Sequence, residues 1–265
     1  MSTSSPGKTE LPFYCPVGGE VDLFERCYSQ RLPLMLKGPT GCGKTRFVEH
    51  MAARLGKPLI TVPCHDDTSA ADLLGRWLVK GGDTVWQDGP VTRAVREGAI
   101  LYLDEIAEAR PDVVVAIHPL TDHRRHLFVD RRGEELTATD GFMLVVSFNP
   151  GYQRGWKELK PSTRQRFVAA SFDYPAPDLE ASILANETDC DEKVALRLVK
   201  LGNKLRELDE LGLAERASTR LLVDAAHLIT SGMPPRSACI AAIVEPLSDD
   251  PEILEALGEV VSLAF

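Results

Sequence analysis

The sequence predicts an α/β fold, in which a five-stranded parallel sheet carries helices on both faces and is followed by an all-helical region. Three observations predict it. A glycine-rich loop at residues 38–45 lies between an apolar run and an amphipathic helix, two further apolar runs end at Asp104 and Asn149, and only helical patterns follow residue 175. Parallel strands bind ligands at their carboxyl ends, so we expect a functional site at one edge of the sheet.

The glycine-rich loop fits the phosphate-binding pattern GxxxxGKT and consists of Gly38, Pro39, Thr40, Gly41, Cys42, Gly43, Lys44 and Thr45. The run Leu32–Leu36 before it predicts a buried strand. The following helix places its apolar residues on one face, namely Phe47, Val48, Met51, Ala52 and Leu55. Backbone N–H groups and the positive end of a helix then converge on one point, which suits a polyphosphate. We expect Lys44 to reach the β- and γ-phosphates of a nucleotide and Thr45 to hold Mg²⁺.

Two carboxylates end the apolar run at residues 99–103. Asp104 is placed to hold Mg²⁺ directly or through water, and Glu105 is placed to orient and deprotonate an attacking water. This pattern predicts hydrolysis of ATP.

Polar residues follow the later strands as well. The apolar run at residues 142–148 ends at Asn149, whose amide could hydrogen-bond the γ-phosphate or the attacking water. Arg164 and Arg166 precede a fifth predicted strand, at residues 167–172, and either could stabilise charge on the transferring phosphate. Arg220 begins a helix, where it could contact phosphate or lie in solvent.

The remaining patterns complete the predicted order of elements. A strand is expected at residues 59–62, hairpins at 76–86 and 127–137, and helices at about 20–29, 66–74, 91–97, 179–186, 192–208 and 219–230, with two more separated by Pro246. We expect a disordered leader at residues 1–10, an α/β nucleotide-binding core at 11–175 and a helical lid at 176–265.

Composition excludes several classes of protein. A net charge of −9 and a pI near 5.2 argue against a nucleic-acid partner. Neither a membrane-spanning run nor an apolar signal core is found, so we expect a cytoplasmic protein. Six scattered cysteines suggest neither a zinc site nor a disulfide framework. The histidines of residues 118–126 lack a metal-binding spacing and suggest a polar surface facing a neighbour.

The motifs, taken in order, resemble those of an AAA+ ATPase, and the two predicted hairpins resemble those of its MoxR branch. More closely, the sequence resembles the CbbQ/NorQ family through the motifs KGPTGCGKTRFVE (37–49), WQDGP (86–90), YLDEI (102–106), HPLTDHRR (118–125), NPGYQ (149–153), STRQRF (162–167) and ASTRLL (217–222). The resemblance spans about residues 11–265.

This resemblance implies roles for the motif residues. Lys44 and Thr45 match the Walker A motif, Asp104 and Glu105 match Walker B, and Asn149 matches sensor 1. The arginine finger that acts on the neighbouring subunit is matched by Arg166, with Arg164 as the second candidate, and sensor 2 is matched by Arg220.

The resemblance also implies partners. Family members work as homo-hexamers with an adaptor that carries a von Willebrand factor A domain. The segments at residues 65–77 and 148–167 resemble those of CbbQ-type proteins, which act with a CbbO-like adaptor to release inhibitory sugar phosphates from Rubisco. The alternative within the family is a NorQ-type activator of nitric oxide reductase.

Other classes of function remain open on the sequence alone. A P-loop kinase would need an acceptor pocket and would be active as a monomer. A DNA-acting AAA+ motor is disfavoured by the acidic charge. A nucleotide-gated scaffold without turnover is disfavoured by the intact pair Asp104 and Glu105.

Overall fold

The computed structural model describes residues 11–150, 159–208, 213 and 215–265. The predicted leader and residues 151–153 of the NPGYQ motif lie outside this part of the chain. The described residues form two compact units. The first contains residues 11–37, 44–150 and 159–171, and the second contains residues 38–43 together with the described residues from 172 onward. The domain boundary expected near residue 175 stays a prediction.

The first unit contains all nine strands of the described residues: β1 (Leu34–Lys37), β2 (Leu59–Pro63), β3 (Gly75–Lys80), β4 (Asp83–Asp88), β5 (Ile100–Asp104), β6 (His126–Val129), β7 (Glu134–Thr137), β8 (Met143–Phe148) and β9 (Val168–Ser171). Its helices are α1 (Glu20–Ser29), α2 (Lys44–Arg54), α3 (Ala70–Leu74), α4 (Pro90–Glu97), α5 (Pro111–Ile117) and α6 (Pro161–Arg164).

Five of the strands form a parallel sheet in the order β2-β5-β8-β1-β9, which confirms the predicted fold class. The central strands β5 and β8 are buried almost throughout because both faces of the sheet are covered. The edge strands β2 and β9 are more exposed than these central strands. The carboxyl ends of β5 and β8 therefore lie side by side within the sheet.

Side chains alternate between the two faces of the sheet and build the core on each side. Leu101 and Leu103 of β5 belong to a cluster that includes residues of α4, α5 and β6. Tyr102 lies between them in sequence and points to the opposite face, where its hydroxyl approaches Thr45 of α2. Helices therefore cover both faces, as predicted.

Both predicted hairpins form. Strands β3 and β4 pair antiparallel with Trp77 opposite Trp86, and β6 pairs antiparallel with β7. The helix expected at residues 66–74 is shorter than predicted and covers only α3. Ser69 caps it by accepting from Asp72 N–H, and the Asp72 carboxylate accepts from Ser69 N–H in return. This reciprocal capping fixes the helix start at Ala70.

The second unit is helical and contains α7 (Pro177–Thr188), α8 (Glu192–Arg206), α9 (Thr219–Thr230), α10 (Pro235–Cys239) and α11 (Pro251–Ala264), with a π-helical turn at Ile240–Val244. This unit has its own core, in which Leu198, Leu201 and Leu205 of α8 are at most 1% exposed. Within the described residues, no helix is both long and apolar enough to cross a membrane.

Candidate active site

Three hydroxyl groups converge on the carboxylate of Asp104 at the end of β5. Tyr102 donates to Oδ1 at 2.7 Å, Ser147 of β8 donates to the same oxygen, and Thr45 of α2 donates to Oδ2 at 3.2 Å. These residues come from two neighbouring strands and from the helix that follows the glycine-rich loop. The structure thus brings together Thr45 and Asp104, the two residues that the sequence assigned to Mg²⁺.

Glu105 is tied to the same group through its backbone. Its N–H donates to Ser147 Oγ at 2.7 Å, so one buried serine contacts both members of the carboxylate pair. Glu105 also adopts a left-handed conformation, with φ 55° and ψ 49°. This conformation costs a residue with a Cβ about 1–2 kcal/mol and persists where its surroundings enforce it.

The tyrosine and the cysteine beside Asp104 stay protonated. Burial raises the pKa of the Tyr102 phenol, and the nearby Asp104 carboxylate raises it further, so the phenol remains a hydrogen-bond donor. Burial, followed by the charges of Asp104 and Glu105, raises the pKa of Cys64 to about 12. The Cys64 backbone N–H donates to the Asp104 carbonyl at 2.9 Å, which fixes β2 beside the carboxylate.

The donor set of Thr45 and Asp104 suits Mg²⁺. A hydroxyl and a carboxylate within hydrogen-bond distance are hard oxygen ligands, and Mg²⁺ is usually held by one or two such groups together with substrate phosphates. Among the described residues, no three His, Cys, Asp or Glu side chains group in a way that could hold a metal by themselves. The two residues therefore fit a metal shared with a nucleotide.

The glycine-rich loop is divided between the two units. Lys44 begins α2 in the first unit and is only 8% exposed. Residues 38–43 belong to the second unit, where Gly41 and Gly43 have φ values of 70° and 95°. Residues with a Cβ rarely adopt such values, so glycine is needed at both positions.

Three of the remaining predicted residues lie at two other places in the first unit. Asn149 follows β8 directly and is half-buried, two residues beyond Ser147. Arg164 and Arg166 are exposed around the end of α6. The Thr163 hydroxyl beside them is hydrogen-bonded to His118 at 3.3 Å. Burial and the positive charge of Arg166 lower the pKa of His118.

Arg220 is exposed in the first turn of α9, as predicted. Ser218 caps this helix by accepting from Leu221 N–H. Within the second unit, this helix start lies against the glycine-rich loop, because a Cβ placed on Gly41 would be 2.6 Å from Ser218 Cβ and 3.4 Å from Arg220 Cβ.

The sequence prediction missed Ser147 and Tyr102. A signal for the serine was present, because Ser147 is the one polar residue in the apolar run from Phe142 to Phe148 and is fully buried. A buried hydroxyl requires a hydrogen-bond partner, and the end of the adjacent parallel strand supplies it. Tyr102 gave no comparable signal, since tyrosine is common in strands.

Comparison with known proteins identifies the family. Residues 33–167 match the AAA domain of the dynein-related subfamily, and residues 180–264 match the CbbQ/NirQ/NorQ C-terminal domain. The chain belongs to the CbbQ/NirQ/NorQ family of AAA+ ATPases. It therefore binds and hydrolyses nucleotide, and the resemblance stated from the motifs is confirmed.

Several members of the CbbQ/NirQ/NorQ family are similar over nearly their whole length. The chain is 61% identical to denitrification regulatory protein NirQ of Pseudomonas aeruginosa, with 95% of this chain and 97% of the relative covered. It is 58% identical to protein NorQ of Paracoccus denitrificans, with 100% and 98% covered. It is 54% identical to protein CbbQ of Hydrogenophilus thermoluteolus, with 96% and 95% covered.

Two solved structures support the AAA+ fold. A Cytophaga hutchinsonii protein described as a candidate ATPase superimposes with a TM-score of 0.52 at 16% identity, covering 91% of this chain and 80% of that one. A RuvB variant from Thermotoga maritima gives a TM-score of 0.50 at 17% identity, covering 92% and 69%. At such identities the similarity concerns the fold alone.

Proposed function

We propose that this ATPase is a motor that remodels a partner protein and hydrolyses ATP between neighbouring subunits of a homo-hexamer. The observation that carries the proposal is the hydrogen-bonded group of Thr45, Asp104, Ser147 and Glu105 at the carboxyl ends of β5 and β8. A hydroxyl and a carboxylate that can hold Mg²⁺, followed in the chain by a second carboxylate that can act on water, are what phosphoanhydride hydrolysis requires.

Each residue of the proposed site has a distinct role. Lys44 contacts the β- and γ-phosphates, Thr45 and Asp104 hold Mg²⁺, and Glu105 accepts a proton from the attacking water. The ion, when bound, would neutralise charge that develops on the phosphate oxygens. Asn149 positions the water or the γ-phosphate from the end of the adjacent strand.

Arginines complete the proposed site. Arg166, with Arg164 as the alternative, stabilises the transferring phosphate of the neighbouring subunit. Both side chains are exposed on their own subunit, which a residue acting in trans must be. Arg220 contacts phosphate from the start of α9.

The proposed client is Rubisco, reached through a CbbO-like adaptor with a von Willebrand factor A domain. Supporting this are the CbbQ-like segments at residues 65–77 and 148–167 and the 54% identity to a CbbQ protein. The work would take place in the cytoplasm. Identities of 58% and 61% to NorQ and NirQ proteins favour a second candidate, the activation of nitric oxide reductase.

A paired assay separates the two clients. Rubisco inhibited by a sugar phosphate is incubated with this protein, its adaptor and ATP, and carboxylation is followed over time. We expect recovery of activity with the wild-type chain and none with Glu105→Gln. Recovery by Glu105→Gln would show that hydrolysis is not needed. Failure with Rubisco, combined with activation of nitric oxide reductase in a parallel assay, would reassign the client and keep the motor.

A further inference from the structure

An ion pair is almost completely buried in the helical unit. Glu180 of α7 is 0% exposed, and the side chain of Arg206 at the end of α8 is 9% exposed. The guanidinium donates to both carboxylate oxygens, at 2.8 Å and 2.6 Å. Buried pairs of this kind contribute little net stability, because the loss of hydration offsets the attraction. The planar, two-pronged geometry of such a pair does fix the orientation of both side chains. The role of the pair is therefore indicated by the other groups to which it is hydrogen-bonded.

The pair holds the residues that lead into α9. Arg206 Nε donates to the Ala217 carbonyl at 2.7 Å, and the Thr219 hydroxyl donates to Glu180 Oε1 at 2.6 Å. Ser218 lies between these two anchored residues, and Arg220 follows them. Both the backbone and a side chain of the segment are thus fixed by the same two charges.

The anchored segment packs against the glycine-rich loop. A Cβ added to Gly41 would lie 2.7 Å from Ser218 Oγ, so the loop backbone passes directly beside the serine. Arg206 also stacks on the ring of Tyr174, with 4.0 Å from Cζ to the ring centroid. The Tyr174 hydroxyl donates to the Thr40 carbonyl at 3.4 Å, and burial raises the pKa of this phenol to about 12, which keeps it a donor.

Two contacts with loop residues 38–43 therefore depend on one ion pair, through Ser218 on one side and Tyr174 on the other. We propose that Glu180 and Arg206 are positioning residues that set the conformation of the phosphate-binding loop and the placement of Arg220. They make the nucleotide affinity of the loop dependent on the packing of α7, α8 and α9. The inference rests on the proposed function, because it takes residues 38–43 and Arg220 to contact nucleotide.

The test uses Thr219→Val in the full chain. This change removes the hydroxyl that donates to Glu180 and leaves the shape of the side chain nearly the same. Thr188→Val is the matched control, because Thr188 is also a buried threonine of this unit and its hydroxyl donates to Leu184 O within α7. Both variants are expected to lower Tm similarly. Thr219→Val alone should raise KM for ATP about tenfold, which corresponds to about 1.4 kcal/mol. It should also reduce the increase in Tm that Mg-ADP produces.

Three further variants keep the inference testable if Thr219→Val folds poorly. Arg206→Lys retains the charge but loses the two-pronged contact, so we expect KM to rise as far as in Arg206→Met. Tyr174→Phe keeps the stacked ring and loses only the hydroxyl, and should raise KM about two- to threefold. A KM for Thr219→Val equal to that of Thr188→Val, or wild-type KM in Arg206→Lys, would overturn the inference. Active wild-type protein in the same assay would leave the proposed function intact.

Discussion

Replacing Ser147 with alanine tests how the carboxylate pair is held. The change leaves the Glu105 N–H without its acceptor and removes one of the three hydroxyl donors from Asp104. A buried donor without a partner costs about 1–3 kcal/mol, and a hydrogen bond to a charged group contributes about 1.5–3 kcal/mol. Because the two effects share one side chain, we expect the free energy of unfolding to fall by about 3 kcal/mol.

The same change should slow hydrolysis. Without the serine, the left-handed turn at Glu105 loses one of the contacts that hold it. The Glu105 carboxylate should then be held less firmly in the position from which it acts on the attacking water. A loss of about 1.4–2.7 kcal/mol in transition-state stabilisation lowers kcat about ten- to a hundredfold. Steady-state ATPase assays and thermal unfolding measure the two effects separately.

A matched control distinguishes activity from stability. Thr92 is equally buried, at 0% exposure, and its hydroxyl donates to Leu74 O at 2.6 Å, within the same unit. Thr92→Val should lower Tm and leave kcat within about twofold of the wild type. If Ser147→Ala also leaves kcat within that range, Ser147 does not position Glu105 and the reasoning is refuted.

Three further predictions concern single side chains. Glu105→Gln should bind ATP normally and hydrolyse it about 10²–10⁴-fold more slowly, and near-normal turnover would remove Glu105 from the mechanism. Because the pKa of His118 is lowered from 6.5, the folded state binds fewer protons than the unfolded state just below that pH. Stability should therefore fall as pH drops through about 6.5, and this part of the loss in Tm should be absent in His118→Gln; equal pH profiles for both proteins would contradict it. Cys64, with its pKa near 12, should resist iodoacetamide at pH 8 while the half-buried Cys15 and Cys190 react, as peptide mass spectrometry would show, and early labelling of Cys64 would argue against its burial beside Asp104.

The parts of the fold that the sequence predicted well are those with a local signal. Strands β5 and β8 are buried on both faces, so each appears as a continuous apolar run. The glycine-rich loop and the hairpins carry characteristic residues at fixed spacing. The predicted helix at residues 66–74 began too early. Ser69 caps α3 through reciprocal hydrogen bonds with Asp72, and this capping competes with helix formation at residues 66–69.

The side-chain groups were predicted less completely. Asp104 and Glu105 were recognised because they end a strand, but Ser147 joins them across 42 residues of chain. The Glu180–Arg206 pair likewise joins two helices, and its charged residues occupy positions that read as solvent-exposed in the sequence. Pairing of this kind depends on tertiary contacts, so it produces no periodic pattern in the sequence.

The central claim, that hydrolysis occurs between two copies of this chain, is tested by mixing two inactive variants. Lys44→Ala lacks a working phosphate loop, and Arg164→Ala/Arg166→Ala lacks the arginines offered to the neighbour. In a randomly mixed ring, a site works only when the arginine-deficient subunit supplies the phosphate loop and the lysine-deficient subunit supplies the arginines. Equal mixing should therefore restore about a quarter of wild-type turnover. No recovery on mixing, together with full activity of isolated wild-type monomers, would contradict the account.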